Sequence, residues 1–127
     1  MQDIIDLGSR IKWHYEYGKQ IIMVDFSSLT DKLVLDLIQL SYQKIKNNGK
    51  KICTLSVMSG AKANSRILRA FKVNGKRMDS LIEKRAIVDI TPIQMILLNA
   101  ILKYTGQKDK TQIFKTVDSA IQWLSFD

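Results

Sequence analysis

The side chains best suited to chemistry in this sequence are short oxygen-bearing residues that follow apolar runs. Asp25 and Ser27 come at the end of one such run, and Asp89 and Thr91 border the end of another. In open α/β sheets, ligands bind at the carboxyl ends of parallel strands, where helix N-termini present free N–H groups. These four residues therefore form a candidate site for an anion or another small ligand.

Two interpretations of these residues remain open. Asp25 and Asp89 offer the hard oxygen ligands that magnesium prefers, so one hypothesis is a metal-assisted phosphate site, or a hydrolase acting on phosphate. Asp, Ser and Thr are also the residue types that form turns and cap helices. We favour the second interpretation, because a helix is expected after each of these strand ends.

Ser59 is a candidate phosphorylation site. Ser59-Gly60 stands just before a predicted helix that contains Lys62. A phosphate on Ser59 would meet both the positive end of that helix and the Lys62 ammonium. The alternative is that Ser59 belongs to a plain loop and cap.

Familiar routes to catalysis have little support. His14 and Cys53 are the only His and Cys of the chain, so no His/Cys metal cluster can form. Cys53 falls inside a predicted buried strand, where thiols are usually inert. The sequence also has no glycine-rich phosphate loop. We therefore expect no catalytic residue, no metal site and no cofactor.

The elements that position these residues alternate along the chain. Alternating apolar and polar side chains, or short apolar runs, predict strands over 10–17, 20–26, 51–57, 86–90 and 112–115. A turn at Gly18-Lys19 makes the first two a hairpin, and the later strands alternate with helices, which implies parallel pairs. We expect an α/β fold with a mixed, mainly parallel sheet of four to five strands covered by helices, as one domain over residues 1–127.

Capping residues place the helices between these strands. Ser28 or Thr30 can cap the first helix, Thr91-Pro92 begins the third, and Thr116 caps the last. The first strand carries Trp13, Tyr15 and Tyr17, which we assign to the core, with a pocket or a homodimer surface as the alternative.

The positive charge is concentrated in one segment. The chain has a formal net charge of +8, and residues 44–85 hold twelve Lys and Arg against two acids. The predicted second helix, 62–77, is amphipathic, and Asn74-Gly75 is expected to loosen it. The cations on its solvent face are Lys62, Arg66, Arg69, Lys76 and Arg77.

Two interpretations of this basic face stay open: a solvated surface, or a surface that binds an acidic protein partner, which we expect in preference to nucleic acid. Clustered Lys and Arg bind phosphates through counterion release, but no aromatic residues interleave them as a stacking surface requires. The longest apolar stretch is too short to cross a bilayer, and the first residues lack the pattern of a secretory signal. We expect a cytoplasmic protein without a transmembrane segment.

Several stretches resemble the small bacterial STAS-like (SpoIIAA-like) proteins. They are KRAIVDITPIQ at 84–94, LNA at 98–100, YTG at 104–106, IFKT at 113–116, SAIQWL at 119–124 and VDFSSL at 24–29. The similarity covers roughly residues 20–125, and Asp89 and Pro92 stand where the family usually or often has glycine. The resemblance implies an α/β sandwich that serves as a regulatory or interaction module.

The resemblance also bears on Ser59. Anti-sigma-factor antagonists of this fold carry a phosphorylated Ser ahead of a Gly, as in Ser59-Gly60, although the Asp that usually precedes their serine pair is absent here. We expect a non-enzymatic module that uses helix 62–77 and the adjoining strand-end loops. The alternative is a small-molecule or lipid-binding protein with a cavity between helix and sheet, because related folds hold apolar ligands.

Overall fold

Strands and helices alternate in the computed structural model, which describes residues 6–61 and 64–126. The strands are β1 (Ile11–Glu16), β2 (Lys19–Asp25), β3 (Ile52–Val57), β4 (Ile82–Val88) and β5 (Thr111–Phe114). The helices are α1 (Asp31–Asn48), α2 (Ser65–Met78), α3 (Pro92–Thr105) and α4 (Val117–Ser125). Short 3-10 turns precede β1, β4 and β5. The expected order of elements is confirmed.

The five strands form one mixed sheet in the order β1-β2-β3-β4-β5. β1 pairs with β2 as an antiparallel hairpin, and the other three pairs are parallel. Because the chain advances across the sheet in one direction, right-handed crossovers place α1, α2 and α3 on the same face. α4 follows the last strand and covers the opposite face. The predicted fold class is confirmed.

Each face of the sheet has its own apolar core. On one face, buried side chains of β2, β3 and β4 pack against α1 and α2, with Val34, Leu37 and Ile67 among them. On the other face, Cys53 and Leu55 of β3 pack against α4. Continuous apolar runs in β2 and β3 are explained by this coverage on both sides.

The five strands lie within one or two residues of the prediction except at the start of β4, and the hairpin turn is also displaced. The hairpin turn is Tyr17-Gly18, not Gly18-Lys19; both residues have positive φ, as a type I′ turn requires, and Lys19 already belongs to β2. β4 begins at Ile82 and ends at Val88, so the predicted 86–90 was too late. Three charged residues at 83–85 hid its first half, since buried parallel strands are usually apolar.

The second helix and the first-strand aromatics also differ from expectation. α2 begins at Ser65, where the Asn64 side chain caps it. Gly75 does not loosen the helix, which continues to Met78. Tyr15 and Tyr17 are exposed instead of buried in the core. In the part of the chain that the structure describes, none of the helices combines the length and hydropathy needed to span a membrane.

Candidate functional site

At the end of β2, Asp25 organises a turn. Its Oδ1 accepts hydrogen bonds from the Ser27 backbone N–H at 2.9 Å and from the Ser27 hydroxyl at 2.5 Å. Arg10 reaches the same turn from the start of β1: its Nη1 donates to the Ser27 carbonyl at 2.9 Å and lies 3.7 Å from Asp25 Oδ2. Asp25 and Ser27 therefore act together, as turn formers held by a cation.

At the ends of β3 and β4, Ser59 and Asp89 contact each other. The Ser59 hydroxyl donates to Asp89 Oδ2 at 2.6 Å. Asp89 has a φ of 64°, which L residues other than Asn and Asp seldom adopt. Lys62, the cation that we expected beside Ser59, lies outside the described residues. Among the described residues, the charged group that contacts the Ser59 hydroxyl is thus the Asp89 carboxylate.

Thr91 caps α3. Its side chain accepts from the Gln94 backbone N–H, and the Gln94 side chain accepts from the Thr91 backbone N–H, which completes a capping box with Pro92 in the first turn. Gln94 Nε2 also donates to the Ala61 carbonyl at 2.7 Å, so this cap is tied to the loop before α2.

The structure divides the four strand-end residues instead of gathering them. β3 separates β2 from β4, so the Asp25 and Asp89 backbones are about 10 Å apart at ordinary strand spacing. Each carboxylate is hydrogen-bonded to a different serine. Among the described residues there is no group of three His, Cys, Asp or Glu side chains that could hold a metal ion.

The exposed face of α2 is basic. Arg66, Arg69, Lys76 and Arg77 are all exposed. Arg77 lies toward α1, where its guanidinium stands 4.0 Å from the centre of the Tyr42 ring. The predicted basic stripe is therefore exposed in the described part of α2, with the half-exposed Val73 lying among its cations.

A groove runs between this basic face and α3. Arg66 and Arg69 line one side of it, and Leu97 and Ala100 line the other. The side chains of Arg66 and Arg69 therefore border α3 directly.

The outer face of α3 is apolar and exposed. Ile93 and Ile96 are 72% and 70% exposed, and Met95 and Leu97 are also exposed. α3 is apolar on nearly every side, so its periodicity does not distinguish the face that packs from the face left open.

A cavity of about 130 Å³ lies between the sheet and helices α2 and α3. Most of its walls are apolar, with contributions from Phe71 of α2 and Leu98 of α3. Its polar lining residues include Arg85 of β4, Asn74 of α2 and Gln107 beyond α3. None of these three was predicted from the sequence as a site residue; Asn74 was named only as part of a weak point in the helix. The one signal that the sequence offered for this site was Arg85, a charged residue within the buried strand β4.

Arg85 is held by several contacts although only 8% of its surface is exposed. It donates to the Gly75 carbonyl at 2.8 Å and to Asp79 Oδ1 at 3.4 Å. A hydrogen bond from Lys110, whose Nζ lies 2.8 Å from Asp79 Oδ1, lowers the pKa of Asp79. Burial lowers the pKa of Arg85, which is offset in part by Asp79.

Two buried polar atoms on the cavity lining are unpaired. Asn74 Oδ1 and Gln107 Nε2 have no hydrogen-bond partner among the described residues. Native proteins pair most buried polar groups, so two such atoms on one cavity are unusual.

Cys53 is unsuited to nucleophilic chemistry. It is 1% exposed, and burial raises the pKa of its thiol. Its sulfur contacts the Leu124 carbonyl at 3.9 Å.

Comparison with known proteins shows which fold this chain resembles. No protein-family model matches the sequence. No curated protein matches it either. Among solved structures, an anti-sigma-factor antagonist (STAS) domain protein from Planctomyces limnophilus superposes with a TM-score of 0.60. The match covers 91% of this chain and 98% of that one, at 14% identity.

This chain has the STAS-like fold. The expected resemblance is confirmed at the level of architecture, over nearly the whole chain. At 14% identity, the STAS-like fold carries no residue roles with it, so the function of each site rests on the geometry above.

Proposed function

We propose that this STAS-like domain is a non-enzymatic regulatory module that binds an acidic protein partner across α2 and α3. One observation carries the proposal: the exposed basic face of α2 lies beside the exposed apolar face of α3. Protein interfaces combine an apolar centre with a charged rim, and these two helices provide both on one side of the molecule.

The apolar face supplies the binding energy in this proposal. Ile93 and Ile96 are each about 70% exposed, so burying them against a partner contributes roughly 1–2 kcal/mol each. Arg66 and Arg69 border the same groove and orient the partner through charge. Two copies of this chain would bring like charges together, which disfavours a homodimer through this face.

Nucleic acid fits this surface less well. The described residues that line the groove include no aromatic side chain on which a base could stack. An acidic protein needs no such stacking, and it also covers the isoleucines of α3, which bases would leave exposed.

Affinity capture from native extract, followed by binding measurements with the purified partner, tests the proposal. The variant Arg66→Glu/Arg69→Glu/Lys76→Glu should lower affinity about tenfold or more, since each reversal replaces attraction with repulsion. The control Lys12→Glu/Lys44→Glu/Lys115→Glu makes the same charge change at exposed positions outside α2. Equal affinity for all three proteins, or binding only to anionic vesicles, would contradict the proposal.

The regulatory part of the proposal concerns Ser59. A phosphate there breaks the hydrogen bond to Asp89 and sets a charge of about −1.5 to −2 beside a carboxylate. Phosphorylation therefore shifts the loops after β3 and β4, next to the start of α3. Mass spectrometry of the protein from its native cells tests this, and the absence of phosphate at Ser59 under all growth conditions would refute it.

The cavity favours a second function, binding of a small apolar molecule. The cavity has a volume of about 130 Å³ and mostly apolar walls, so it is large enough for a small ligand. Protein interiors contain few voids larger than a water molecule, so a cavity of this size is unusual. Native mass spectrometry of the purified chain tests this candidate, since a bound molecule adds a discrete mass that is lost on denaturation.

A further inference from the structure

We infer that the cavity between the sheet, α2 and α3 binds a small neutral amphiphile: one ring or a short alkyl chain that ends in a group able both to donate and to accept a hydrogen bond, such as a carboxamide. This inference rests on the second function proposed above and specifies its ligand by size, polarity and charge.

The size of the ligand follows from the volume of the cavity. In another protein, an apolar cavity of about 150 Å³ holds one benzene molecule. The cavity here measures about 130 Å³, so it matches a single ring or a chain of similar bulk. The long acyl chains of a membrane lipid exceed this volume with α2 and α3 as they stand.

The polar end of the ligand follows from the two unpaired atoms. Gln107 is 4% exposed, and its Nε2 is a donor without an acceptor among the described residues. Asn74 Oδ1 is an acceptor with no donor in the described part of the chain. Both residues line the cavity. A ligand group that accepts from Gln107 and donates to Asn74 satisfies both atoms at once.

The orientation of Asn74 is fixed by a second bond. Its Nδ2 donates to the Ala70 carbonyl at 2.9 Å, one turn earlier in α2. Exchanging the amide atoms would place two acceptors against each other there, so Oδ1 is the atom left toward the cavity. A carboxylate ligand would put its own acceptor oxygen against that atom.

The charge of the ligand follows from Arg85. This guanidinium already donates to the Gly75 carbonyl and to the Asp79 carboxylate. Its positive charge therefore has a counterion inside the protein, and an anionic ligand is not needed to balance it. A neutral tip satisfies the unpaired amide atoms without adding an uncompensated charge to a buried site.

Titration of the full chain with benzamide, toluene and benzoate tests the inference, with affinities measured by calorimetry or by amide chemical shifts. The three probes share one ring and differ at the tip. We expect benzamide to bind about tenfold more tightly than toluene, because two hydrogen bonds distinguish them, and more tightly than benzoate.

Variants separate the tip from the cavity. Gln107→Met keeps the bulk and removes the donor, so the affinity for benzamide should fall about threefold toward that of toluene, because one of the two hydrogen bonds is lost, while toluene binding remains. Gln112→Met is the matched control, because Gln112 is exposed on β5 and does not line the cavity. Asn74→Leu gives the same test from α2, should Gln107→Met fail to fold.

Three results would overturn the inference in distinguishable ways. If no probe binds, the cavity holds only water and the second proposed function fails with the inference. If toluene binds as tightly as benzamide, the cavity binds small molecules but the unpaired atoms do not select the tip. If benzoate binds most tightly, the site recognises an anion and the neutral tip is wrong.

Discussion

Substituting Gly75 by alanine tests how closely α2 approaches the segment after α3. Gly75 lies inside α2, where a glycine is normally costly. A Cβ built on Gly75 would lie 3.0 Å from Gln107 Oε1 and 3.6 Å from its Nε2. The glycine is therefore explained by packing against Gln107 and not by a need to bend the helix.

Two opposing contributions set the expected change in stability. Replacing glycine by alanine in a helix stabilises the folded state by about 1 kcal/mol. Gln107 is 4% exposed, so the new methyl group is accommodated only by a shift of this side chain inside the protein, at about 1–3 kcal/mol. We expect Gly75→Ala to be neutral or to lower the free energy of unfolding by up to about 2 kcal/mol.

Removing Gln107 should reverse this result. In a Gln107→Ala background, the contact disappears and Gly75→Ala should stabilise the protein by about 1 kcal/mol, as in an ordinary helix. The two substitutions therefore couple by about 1–3 kcal/mol in a double-mutant cycle. Gln112→Ala, on exposed β5, is the control background and should show no coupling.

Urea unfolding followed by tryptophan fluorescence measures the four proteins of the cycle and the two of the control background, and equal slopes against urea show that the unfolded states are comparable. Stabilisation by about 1 kcal/mol from Gly75→Ala alone would refute the reasoning. It would mean that Gln107 is free to move and does not hold the cavity lining in place.

Three further predictions concern ionisable and reactive groups. The folded pKa of Asp79 is lowered, chiefly by a hydrogen bond from Lys110, so its stabilisation is present above its ordinary pKa and is lost as pH falls through the lowered one. Asp79→Asn should thus lower the free energy of unfolding by about 1 kcal/mol at pH 7, a small value because the Asp79 side chain is 45% exposed. The same variant should remove this acid dependence from urea unfolding. Ser59→Asp sets a second carboxylate beside Asp89 and should lower the midpoint temperature of thermal unfolding. Adding Asp89→Asn should restore the midpoint. An unchanged midpoint in Ser59→Asp would show that the two loops keep the carboxylates apart. Cys53 should react with a thiol reagent only as fast as the protein opens, so rapid labelling of the native chain would contradict its burial.

The sequence was informative wherever the signal was local. Thr91-Pro92 predicted a helix start, and the structure shows a full capping box there, because a cap depends on residues within one turn. The apolar runs of β2 and β3 predicted strands covered on both faces, since each residue of such a strand meets a core. These features need no knowledge of which segments lie side by side.

Tertiary structure decided the features that depend on distant residues. Ser59 meets Asp89, thirty positions away, because β3 and β4 are adjacent and parallel. Arg85 faces the cavity because the pairing of β3 with β4 shifts its register near Ile82. The periodic pattern of the sequence contains no sign of this shift.

The open face of α3 and the cavity were likewise beyond the sequence alone. An all-apolar helix can bury any side, so its neighbours determine which isoleucines stay exposed. Asn74 and Gln107 come together only because α2 and the segment after α3 pack over the same stretch of sheet. Capping and strand patterns follow from energies within a few residues of chain, whereas the contents of a cavity depend on how separate elements pack.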